Sequence, residues 1–333
     1  MQDLNADAFM RRAIELAQLG PYSDNPRVGA VVVRDGVIVG EGFHQGAGTA
    51  HAEVVAIAAA GERCINSTIY VSLEPCSHHG RTGPCTDAII ESGISRVVYS
   101  QSDPSDLASG GHHVLEQSGV DVSGGLCADD SLAVNREWTH WVSTGRPYVT
   151  WKFAQSLDSR VSAEFGTQTV LSSTVAHEST HLLRSRVDAI VIGTNTAIVD
   201  DPALTARLPH GELRGRQPMR VVIGKRDLPV EAKLLNSPGG RVMQFKTHDI
   251  DQVLTELASL GVKHVLLEGG PTIAHAFLTA GAVQEVVTVI APVTFGTGPL
   301  PLSGLLQSGF DIRNIRVSQA GVDLVISGTP IPR

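Results

Sequence analysis

The sequence predicts an α/β protein of two domains, with a largely parallel sheet covered on both faces by helices. Apolar strand-like segments alternate with helix-like segments in both halves, which is typical of parallel sheets flanked by helices. The chain has 333 residues, more than one hydrophobic core usually serves. A polar stretch at 143–150 contains Gly and Pro, so we place the boundary near residue 146, between domains at 1–146 and 147–333.

In the first half, a hairpin signal precedes a series of alternating elements. Asp35-Gly36 separates two apolar segments, a strong sign of a β-hairpin and of one antiparallel sheet edge. The remaining predicted elements are helices at 6–19, 52–60, 86–92, 111–118 and 128–142, and strands at 67–74, 95–100 and 120–125.

The second half repeats the α/β pattern with its own apolar strands, and therefore predicts its own core. Residues 208–262 carry no motif that indicates a function. The predicted elements are strands at 148–158, 188–193, 219–224, 240–245, 263–268 and 285–292, and helices at 175–186, 250–259 and 273–280.

Composition and charge limit the functional classes. The chain is 42% apolar and 18% charged, and its formal net charge is −8. This acidic balance disfavours broad binding to nucleic acid but allows small anionic substrates. No apolar run approaches the ~20 residues that span a bilayer, and the N-terminal stretch lacks the order of a signal peptide. We expect a cytoplasmic protein without nucleic-acid or membrane partners; a homo-oligomer is compatible with the sequence.

The segment LEPCSHHGRTGPC, at residues 73–85, places two cysteines nine positions apart. Such a pair could form a disulfide, bind a metal or provide a nucleophilic thiol. Structural disulfides are rare in a reducing compartment. Upstream, HAEVVAIAAAG places His51 and Glu53 at a helix start. His51, Cys76 and Cys85 would supply three ligands and leave one position open, as in catalytic zinc sites.

The predicted elements favour zinc chemistry with Glu53 as the proton shuttle. Cys76 follows a strand, and Cys85 opens a helix whose N-terminus stabilises a thiolate. Zinc deaminases of nucleobases carry H-x-E followed by P-C and a second Cys, with the Glu moving protons. A structural site with His78 or His79 as a fourth ligand is the alternative. The remaining cysteines, Cys64 and Cys127, are interpreted as ordinary small apolar residues.

Residues 25–85, with NPRVGAVVV, HAEVVAI and YVSLEPCSHHGRTGPC, resemble the deaminase domain of the bifunctional riboflavin-biosynthesis deaminase/reductases. The long loop between the cysteines carries the resemblance, since related deaminases usually show P-C-x-x-C. It implies a cytidine-deaminase-like α/β/α fold. It also implies that Asn25 and residues 78–82, including His78, contact the pyrimidine or its ribose phosphate. Arg81 suits the phosphate because its guanidinium is planar.

Three later stretches resemble the reductase half of the same family, which has a dihydrofolate-reductase-like fold. They are KFAQSLDSR from Lys152, VIGTNTAIVDDPALTAR from Val191 and LLEGGPTIAHAF from Leu266. In the last stretch, an apolar strand runs into a glycine turn and then a helix, an arrangement that presents free N–H groups to an anion. The resemblance implies NADPH as cofactor beside the zinc of the first half.

The resemblance also implies individual residues of the reductase. Arg184 and Arg207 could clamp the substrate phosphate bidentately, and Lys152 could face the substrate or pair with Asp158 or Asp200. The substrate residues implied are Arg184, Leu204, Arg207 and Glu268. The cofactor residues implied are Ala154, Thr196, Asp200, Gly270, Pro271, Thr272, Ile273, Ala274, His275 and Ala276.

The leading hypothesis is a bifunctional enzyme that deaminates 2,5-diamino-6-ribosylamino-4(3H)-pyrimidinone 5′-phosphate and then reduces its ribosyl group with NADPH. Two departures favour an alternative, a monofunctional deaminase with a degenerate binding or dimerisation module. Ser159 stands where the family usually has the Gly of SLDG, and residues 168–172 lack the usual Trp. A tRNA-editing deaminase and a non-enzymatic zinc scaffold are further alternatives.

Overall fold

The computed structural model describes residues 5–78, 83–105, 110–167, 169–302 and 309–333. The chain forms two compact units, Met1–Gly145 and Arg146–Arg333. Within the ranges given above, no helix combines the length and apolar character needed to cross a membrane.

The sheet of the first unit is antiparallel on one side and parallel on the other. Its strands are β1 (Gly29–Arg34), β2 (Val37–Phe43), β3 (Thr68–Leu73), β4 (Arg96–Gln101) and β5 (Asp121–Gly124), in the order β2-β1-β3-β4-β5. The hairpin predicted at Asp35-Gly36 is confirmed as the β1–β2 turn, and both residues have positive φ. β1 also runs antiparallel to β3, a pairing that the alternation did not indicate, whereas β3, β4 and β5 are parallel.

Helices cover both faces of this sheet, as predicted. They are α1 (Ala6–Leu19), α2 (Ala52–Ala60), α3 (Cys85–Glu91), α4 (Gly111–Gln117) and α5 (Ala128–Thr144). Because side chains alternate along a strand, β1 supplies both apolar layers. Val32 packs in the layer that contains α2 and α3, and Val31 packs in the layer that contains α1.

Two glycines in β2 bring α2 close to the sheet. A Cβ atom on Gly42 would lie 2.5 Å from the carbonyl oxygen of Ala52, and one on Gly40 would lie 2.3 Å from that of Ala56. The helix backbone therefore rests directly on the strand backbone, which fixes the position of the residues at the start of α2.

The second unit contains a larger mixed sheet. Its strands are β6 (Tyr148–Ser156), β7 (Ala189–Gly193), β8 (Met219–Ile223), β9 (Val242–Phe245), β10 (His264–Leu267), β11 (Glu285–Ala291), β12 (Phe310–Ala320) and β13 (Asp323–Pro332). Their order is β12-β13-β11-β6-β10-β7-β8-β9. From β11 to β9 all neighbours are parallel, and β13 and β12 add two antiparallel pairs.

Helices of the second unit are α6 (Thr174–Arg184), α7 (Thr194–Val199), α8 (Lys233–Asn236), α9 (Ile250–Ser259) and α10 (Pro271–Thr279). The fully buried side chains of Trp151, Leu254 and Phe277 belong to its largest core cluster. Since β6, β7 and β10 are parallel neighbours, their carboxyl ends meet at one sheet edge, where ligands of open α/β sheets usually bind.

The sequence did not predict the β12–β13 hairpin or the short helices α7 and α8. β12 is exposed over most of its length and is interrupted by an irregular register between Arg313 and Arg316. Asn314, inside that interruption, has φ of 52°. A strand that is exposed and irregular lacks the regular apolar alternation on which sequence-based assignment depends.

Candidate functional site

Three potential metal ligands meet beside the carboxyl end of β3. His51 is the N-cap residue of α2, Cys76 follows the end of β3, and Cys85 is the first residue of α3. Nδ1 of His51 lies 3.1 Å from Sγ of Cys85 and 3.5 Å from Sγ of Cys76. All three ligand atoms lie within 4.8 Å of one another. Two helix starts and one strand end therefore bring together residues that are separated in sequence.

The chemistry of these donors fits zinc. The cysteines are free thiols, and Cys85 is fully buried. A hydrogen bond from the Cys85 thiol lowers the pKa of Cys76, and a hydrogen bond with Cys76 raises the pKa of His51. The pair thus loses one thiol proton readily, and thiolates with imidazole are typical zinc ligands.

A fourth protein ligand is not seen among the described residues. The group of His, Cys, Asp and Glu side chains within ligand distance contains only the three residues above. His78 is exposed and outside that group, and His79 lies outside the described residues. One histidine and two cysteines form a donor set that three-ligand catalytic zinc sites use.

Glu53 lies in the first turn of α2, two residues after His51, and only 3% of its surface is exposed. Burial raises the pKa of Glu53 to about 6, and the charge of Cys76 contributes in the same direction. A hydrogen bond from the Cys85 thiol acts in the opposite direction. A carboxyl group with such a pKa can both accept and release a proton near neutral pH.

His44 forms part of the same pocket but was not predicted from the sequence. Its Nε2 atom lies 3.1 Å from Nδ2 of Asn25, and its Nδ1 atom lies 3.1 Å from the carbonyl oxygen of Ala50. The ring packs edge-on against His51, with centroids 5.3 Å apart. Burial lowers the pKa of His44, so the neutral ring donates to Ala50 and accepts from Asn25. His44 was not predicted because a single histidine after a strand does not match any motif.

Asp103 was also missed, and it lies in the loop after β4. The pKa of Asp103 is raised to about 6, mainly by burial; Glu74 and Cys76 contribute to the rise, whereas the Ser105 N–H and His78 oppose it. Glu74 is buried and accepts hydrogen bonds from the backbone N–H groups of Asp103, Gly110 and His112. The carboxylate beside Cys76 therefore fixes this loop near the metal ligands. Arg81 lies outside the described residues.

In the second unit, the Arg184 side chain pairs with Glu268. Nε of Arg184 donates to Oε1 of Glu268 at 2.8 Å, and Nη2 donates to Oε2 at 2.6 Å. Burial alone would raise the pKa of Glu268, but the charge and hydrogen bonds of Arg184 outweigh it and lower the pKa. The structure thus brings these two predicted substrate residues into one ion pair.

Lys152 lies beside this ion pair on β6. Burial lowers the pKa of Lys152, and Glu268 and Arg184 are the charged groups that act on it most strongly. The suggested pairing with Asp158 is not observed, because that carboxylate accepts hydrogen bonds from Ser156 and from the backbone N–H groups of Phe295 and Gly296. Asp200 is likewise absent from the groups that act on Lys152.

Arg207 and Leu204 lie in the segment after α7. Nε of Arg207 donates to Oγ1 of Thr205 at 2.9 Å, and Nη1 donates to the carbonyl oxygen of Gly211 at 2.6 Å. Leu204 is 3% exposed and has φ of 50°. Because the protein itself occupies both guanidinium groups, the phosphate clamp by Arg184 and Arg207 stays a prediction.

The predicted cofactor residues gather at the carboxyl edge of the second sheet. Thr196 lies in α7 after β7, and Gly270 precedes α10 after β10; the Gly270 N–H donates to Oγ1 of Thr196 at 3.3 Å. Ala154 lies in the carboxyl half of β6. Burial raises the pKa of Asp200, the C-cap residue of α7.

The glycine turn before α10 suits a phosphate-bearing cofactor. A Cβ on Gly269 would lie 1.9 Å from Cγ2 of Ile273, so this close turn requires glycine. Nine-residue α10 follows the turn, from Pro271 to Thr279. N–H groups in the first turn of a helix have no partner within the helix and can bind a phosphate.

Two family models match the chain. The cytidine and deoxycytidylate deaminase zinc-binding region matches residues 4–101, and the RibD C-terminal domain matches residues 147–326. The riboflavin biosynthesis protein RibD of Mycobacterium tuberculosis is 43% identical over 319 residues, covering 92% of each chain. This chain belongs to the RibD family. The Escherichia coli riboflavin biosynthesis protein RibD is 38% identical over 89% of each chain.

Solved structures of RibD proteins agree with this assignment. RibD of Acinetobacter baumannii superimposes with a TM-score of 0.87, at 33% identity, over 99% of each chain. A Thermotoga maritima structure described as a diaminohydroxyphosphoribosylaminopyrimidine deaminase/5-amino-6-(5-phosphoribosylamino)uracil reductase has a TM-score of 0.86, at 30% identity, over 98% of each chain. The predicted fold class, cytidine-deaminase-like followed by dihydrofolate-reductase-like, is confirmed.

As a RibD-family member, the chain is a bifunctional deaminase and reductase that uses zinc and NADPH. The monofunctional alternative is not favoured, because full-length relatives are named RibD and the reductase model matches the second half.

The two departures from the usual RibD pattern have different structural settings. Ser159 has φ of 61°, a backbone conformation that glycine adopts more easily. Gln168 lies outside the described residues, whereas Val170 is 89% exposed. Ser159 therefore adopts a conformation for which glycine is better suited.

Proposed function

We propose that the first unit removes the exocyclic amine of 2,5-diamino-6-ribosylamino-4(3H)-pyrimidinone 5′-phosphate and that the second reduces the ribosyl group of the product to ribityl. The convergence of His51, Cys76 and Cys85 beside a buried Glu53 supports the first step most strongly. The names of RibD relatives from several bacteria support a place in riboflavin biosynthesis. Deaminase and reductase domains at 1–146 and 147–333, a cytoplasmic location and a homo-oligomeric state stay predictions.

In the deaminase, His51, Cys76 and Cys85 would hold the metal. Zinc, when bound, supplies a Lewis acid that makes water a stronger nucleophile. Glu53 is placed to take a proton at its carboxylate and pass it to the departing amine. Its burial raises its pKa to about 6, which matches a group that must both accept and donate.

The pyrimidine would be oriented by polar side chains beside the metal ligands. Asn25 is held by His44, so its amide can present its oxygen and remaining N–H to the ring edge. Asp103 lies close enough to Cys76 and His78 for their charges to act on its carboxyl group. Arg81 would bind the phosphate, since a guanidinium donates two parallel hydrogen bonds to an oxyanion.

In the reductase, NADPH, when bound, would be the source of the hydride that reduces C1′ of the ribosyl amine. The cofactor would lie along the carboxyl edge of the second sheet, on Ala154, Thr196, Asp200 and residues 270–276. The substrate would lie against Arg184, Leu204, Arg207 and Glu268, with Lys152 facing the sugar. The lowered pKa of buried Lys152 makes its ammonium a better proton donor than an exposed lysine.

One assay sequence tests both steps. Purified protein is analysed for metal and assayed for ammonia release from the diaminopyrimidine phosphate, and NADPH is then added to the same tube. We expect stoichiometric zinc, ammonia release and then NADPH oxidation. Ammonia release without NADPH oxidation would favour the monofunctional deaminase. Bound zinc without either reaction would favour the non-enzymatic zinc scaffold.

The first mutational prediction concerns Glu53. Glu53→Gln removes the proton carrier, so amine release should fall by about 10²–10⁴-fold while zinc stays bound. Glu62→Gln is the matched control, because Glu62 is an exposed carboxylate just beyond the same helix. Continued amine release at the wild-type rate in Glu53→Gln would refute the proton-shuttle role.

A further inference from the structure

Helix α5 carries three polar side chains, at four-residue spacing, that form hydrogen bonds with the rest of the unit. Oγ of Ser131 donates to the carbonyl oxygen of Ser72 in β3. Oγ1 of Thr139 accepts from Nε2 of Gln101, the last residue of β4, at 2.9 Å. Asn135 lies between these two contacts. The helix therefore touches the strands that lead into the metal-ligand loop and the Asp103 loop.

Asn135 breaks the helix and binds the backbone of Arg27. Its φ and ψ of −119° and 19° are not helical, and it is 3% exposed. The Arg27 N–H donates to Oδ1 of Asn135 at 2.9 Å, and Nδ2 of Asn135 donates to the Arg27 carbonyl oxygen at 2.8 Å. A carboxamide offers an acceptor and a donor in one rigid group, so a single side chain satisfies both backbone groups of Arg27.

The Arg27 side chain strengthens the same attachment. Its guanidinium donates to the carbonyl oxygen of Val134, directly before the break in α5, and lies 4.2 Å from the ring centroid of Tyr22. The segment from Tyr22 to Arg27 is thus held on α5 through both backbone and side-chain contacts.

The attached residue, Arg27, is only two positions from Asn25, which we predict to contact the pyrimidine. Asn25 precedes Arg27 by two positions and contacts Nε2 of His44, whose ring packs against His51. His44 N–H also donates to the carbonyl oxygen of Val28 at 2.9 Å. Displacement of the Arg27 backbone would therefore move Asn25 relative to the metal ligands.

We propose that Asn135 is a positioning residue for the deaminase, which sets the place of Asn25 in the pyrimidine pocket through the backbone of Arg27. The inference rests on the deaminase function proposed above. Asn135 forms its hydrogen bonds with the Arg27 backbone and not with a metal ligand, so its effect should fall on substrate binding and not on zinc.

The test compares Asn135→Ala with Ser67→Ala. Ser67 is 2% exposed, and its Oγ donates to the carbonyl oxygen of Cys64 at 2.6 Å, before the amino end of β3. Asn135→Ala should raise the KM for the diaminopyrimidine phosphate about tenfold, the factor that one net hydrogen bond represents. Its zinc content and its NADPH oxidation with predeaminated substrate should match wild type. Ser67→Ala should lose stability and keep its KM.

Hydrogen exchange supplies a readout that does not depend on turnover. Amides at 22–28 should exchange faster in Asn135→Ala than in wild type, and at an unchanged rate in Ser67→Ala. An unchanged KM, or unchanged exchange over 22–28, in Asn135→Ala would overturn the positioning role. If wild-type protein releases no ammonia, the proposed function fails instead, and the exchange measurement still decides whether Asn135 anchors Arg27.

Discussion

At the scale of single residues, the carboxyl groups of Glu53 and Glu268 have opposite pKa shifts. Glu53 has no arginine or lysine among the groups that act on it, so burial raises its pKa to about 6 and keeps it able to hold a proton. The Glu268 side chain is 12% exposed, and Arg184 donates to both of its oxygens and lowers its pKa, which keeps it ionised. Desolvation therefore raises the pKa of one carboxyl group, and a paired cation lowers the pKa of the other.

The Arg184–Glu268 pair leads to a prediction about stability and pH. Glu268→Gln leaves the Arg184 charge buried without a counterion, so the free energy of unfolding should fall by about 3–5 kcal/mol at neutral pH. Because the folded pKa of Glu268 lies below its usual 4.5, its contribution is present above that pH and lost as the pH falls through the lowered value. Urea unfolding at neutral and at acidic pH measures both effects.

The control for this prediction is Asp227→Asn, which breaks the exposed pair with Lys246. Exposed pairs contribute little because water screens them, so this variant should unfold like wild type. Equal urea midpoints for Glu268→Gln and wild type at neutral pH would show that the buried pair is not needed for folding.

Particular residues show how far the sequence predicts the site. His51, Cys76 and Cys85 were found because each metal-binding residue type coincides with the end of a predicted element. His44, Asp103 and Asn135 were missed because each is a single polar residue without a motif. Their importance depends on contacts such as the one between Asn135 and Arg27, 108 positions apart, which no local pattern encodes.

At the scale of elements, the position of α2 depends on the glycines of β2. Backbone contact between helix and strand leaves no space for a methyl group at Gly42. His51 and Glu53 both lie at the start of α2. A shift of α2 away from β2 would therefore change the distances from the Glu53 carboxyl group to Cys76 and Cys85. The packing of a strand thus influences the position of the Glu53 carboxyl group, the proton carrier that we propose.

Gly42→Ala should therefore lower the free energy of unfolding by about 1–3 kcal/mol, the usual cost of overpacking. Ammonia release should fall as well, because α2 must move away from β2. Gly215→Ala is the control, since its Cβ would meet no atom within 4 Å. Thermal unfolding and the deaminase assay test both variants, and wild-type behaviour of Gly42→Ala would contradict the close packing of α2.

Elements with a regular apolar pattern were predicted well, whereas exposed or irregular ones were not. The buried strands of both sheets and the hairpin at Asp35-Gly36 were found from composition and turn residues. β12 was not, because its exposed residues and the interruption at Asn314 remove the alternation. The antiparallel pairing of β1 with β3 was also missed, because strand direction depends on long-range pairing that alternation does not specify.

At the scale of the whole molecule, each unit contains its own sheet and its own apolar clusters. The proposed metal ligands all lie in Met1–Gly145, and the predicted cofactor residues all lie in Arg146–Arg333. We therefore predict that the residues of one unit are enough for each reaction.

Removal of zinc by a chelator should separate the two activities. Ammonia release should disappear, because the three ligands would lose their ion, while NADPH oxidation with predeaminated substrate should persist. Adding zinc back should restore ammonia release. Parallel loss of both activities would contradict the independence of the two chemistries.

The separation between Arg27 and Asn135 also has a consequence for synthesis on the ribosome. Chains are made from the N-terminus at about 5–20 residues per second, and domains generally fold as they emerge. A nascent chain that ends before α5 already contains His51, Cys76 and Cys85, yet it lacks the amide that fixes Arg27. If Asn135 has the positioning role proposed above, the substrate pocket is completed only after the last helix of the unit has emerged, whereas all three metal ligands are made earlier.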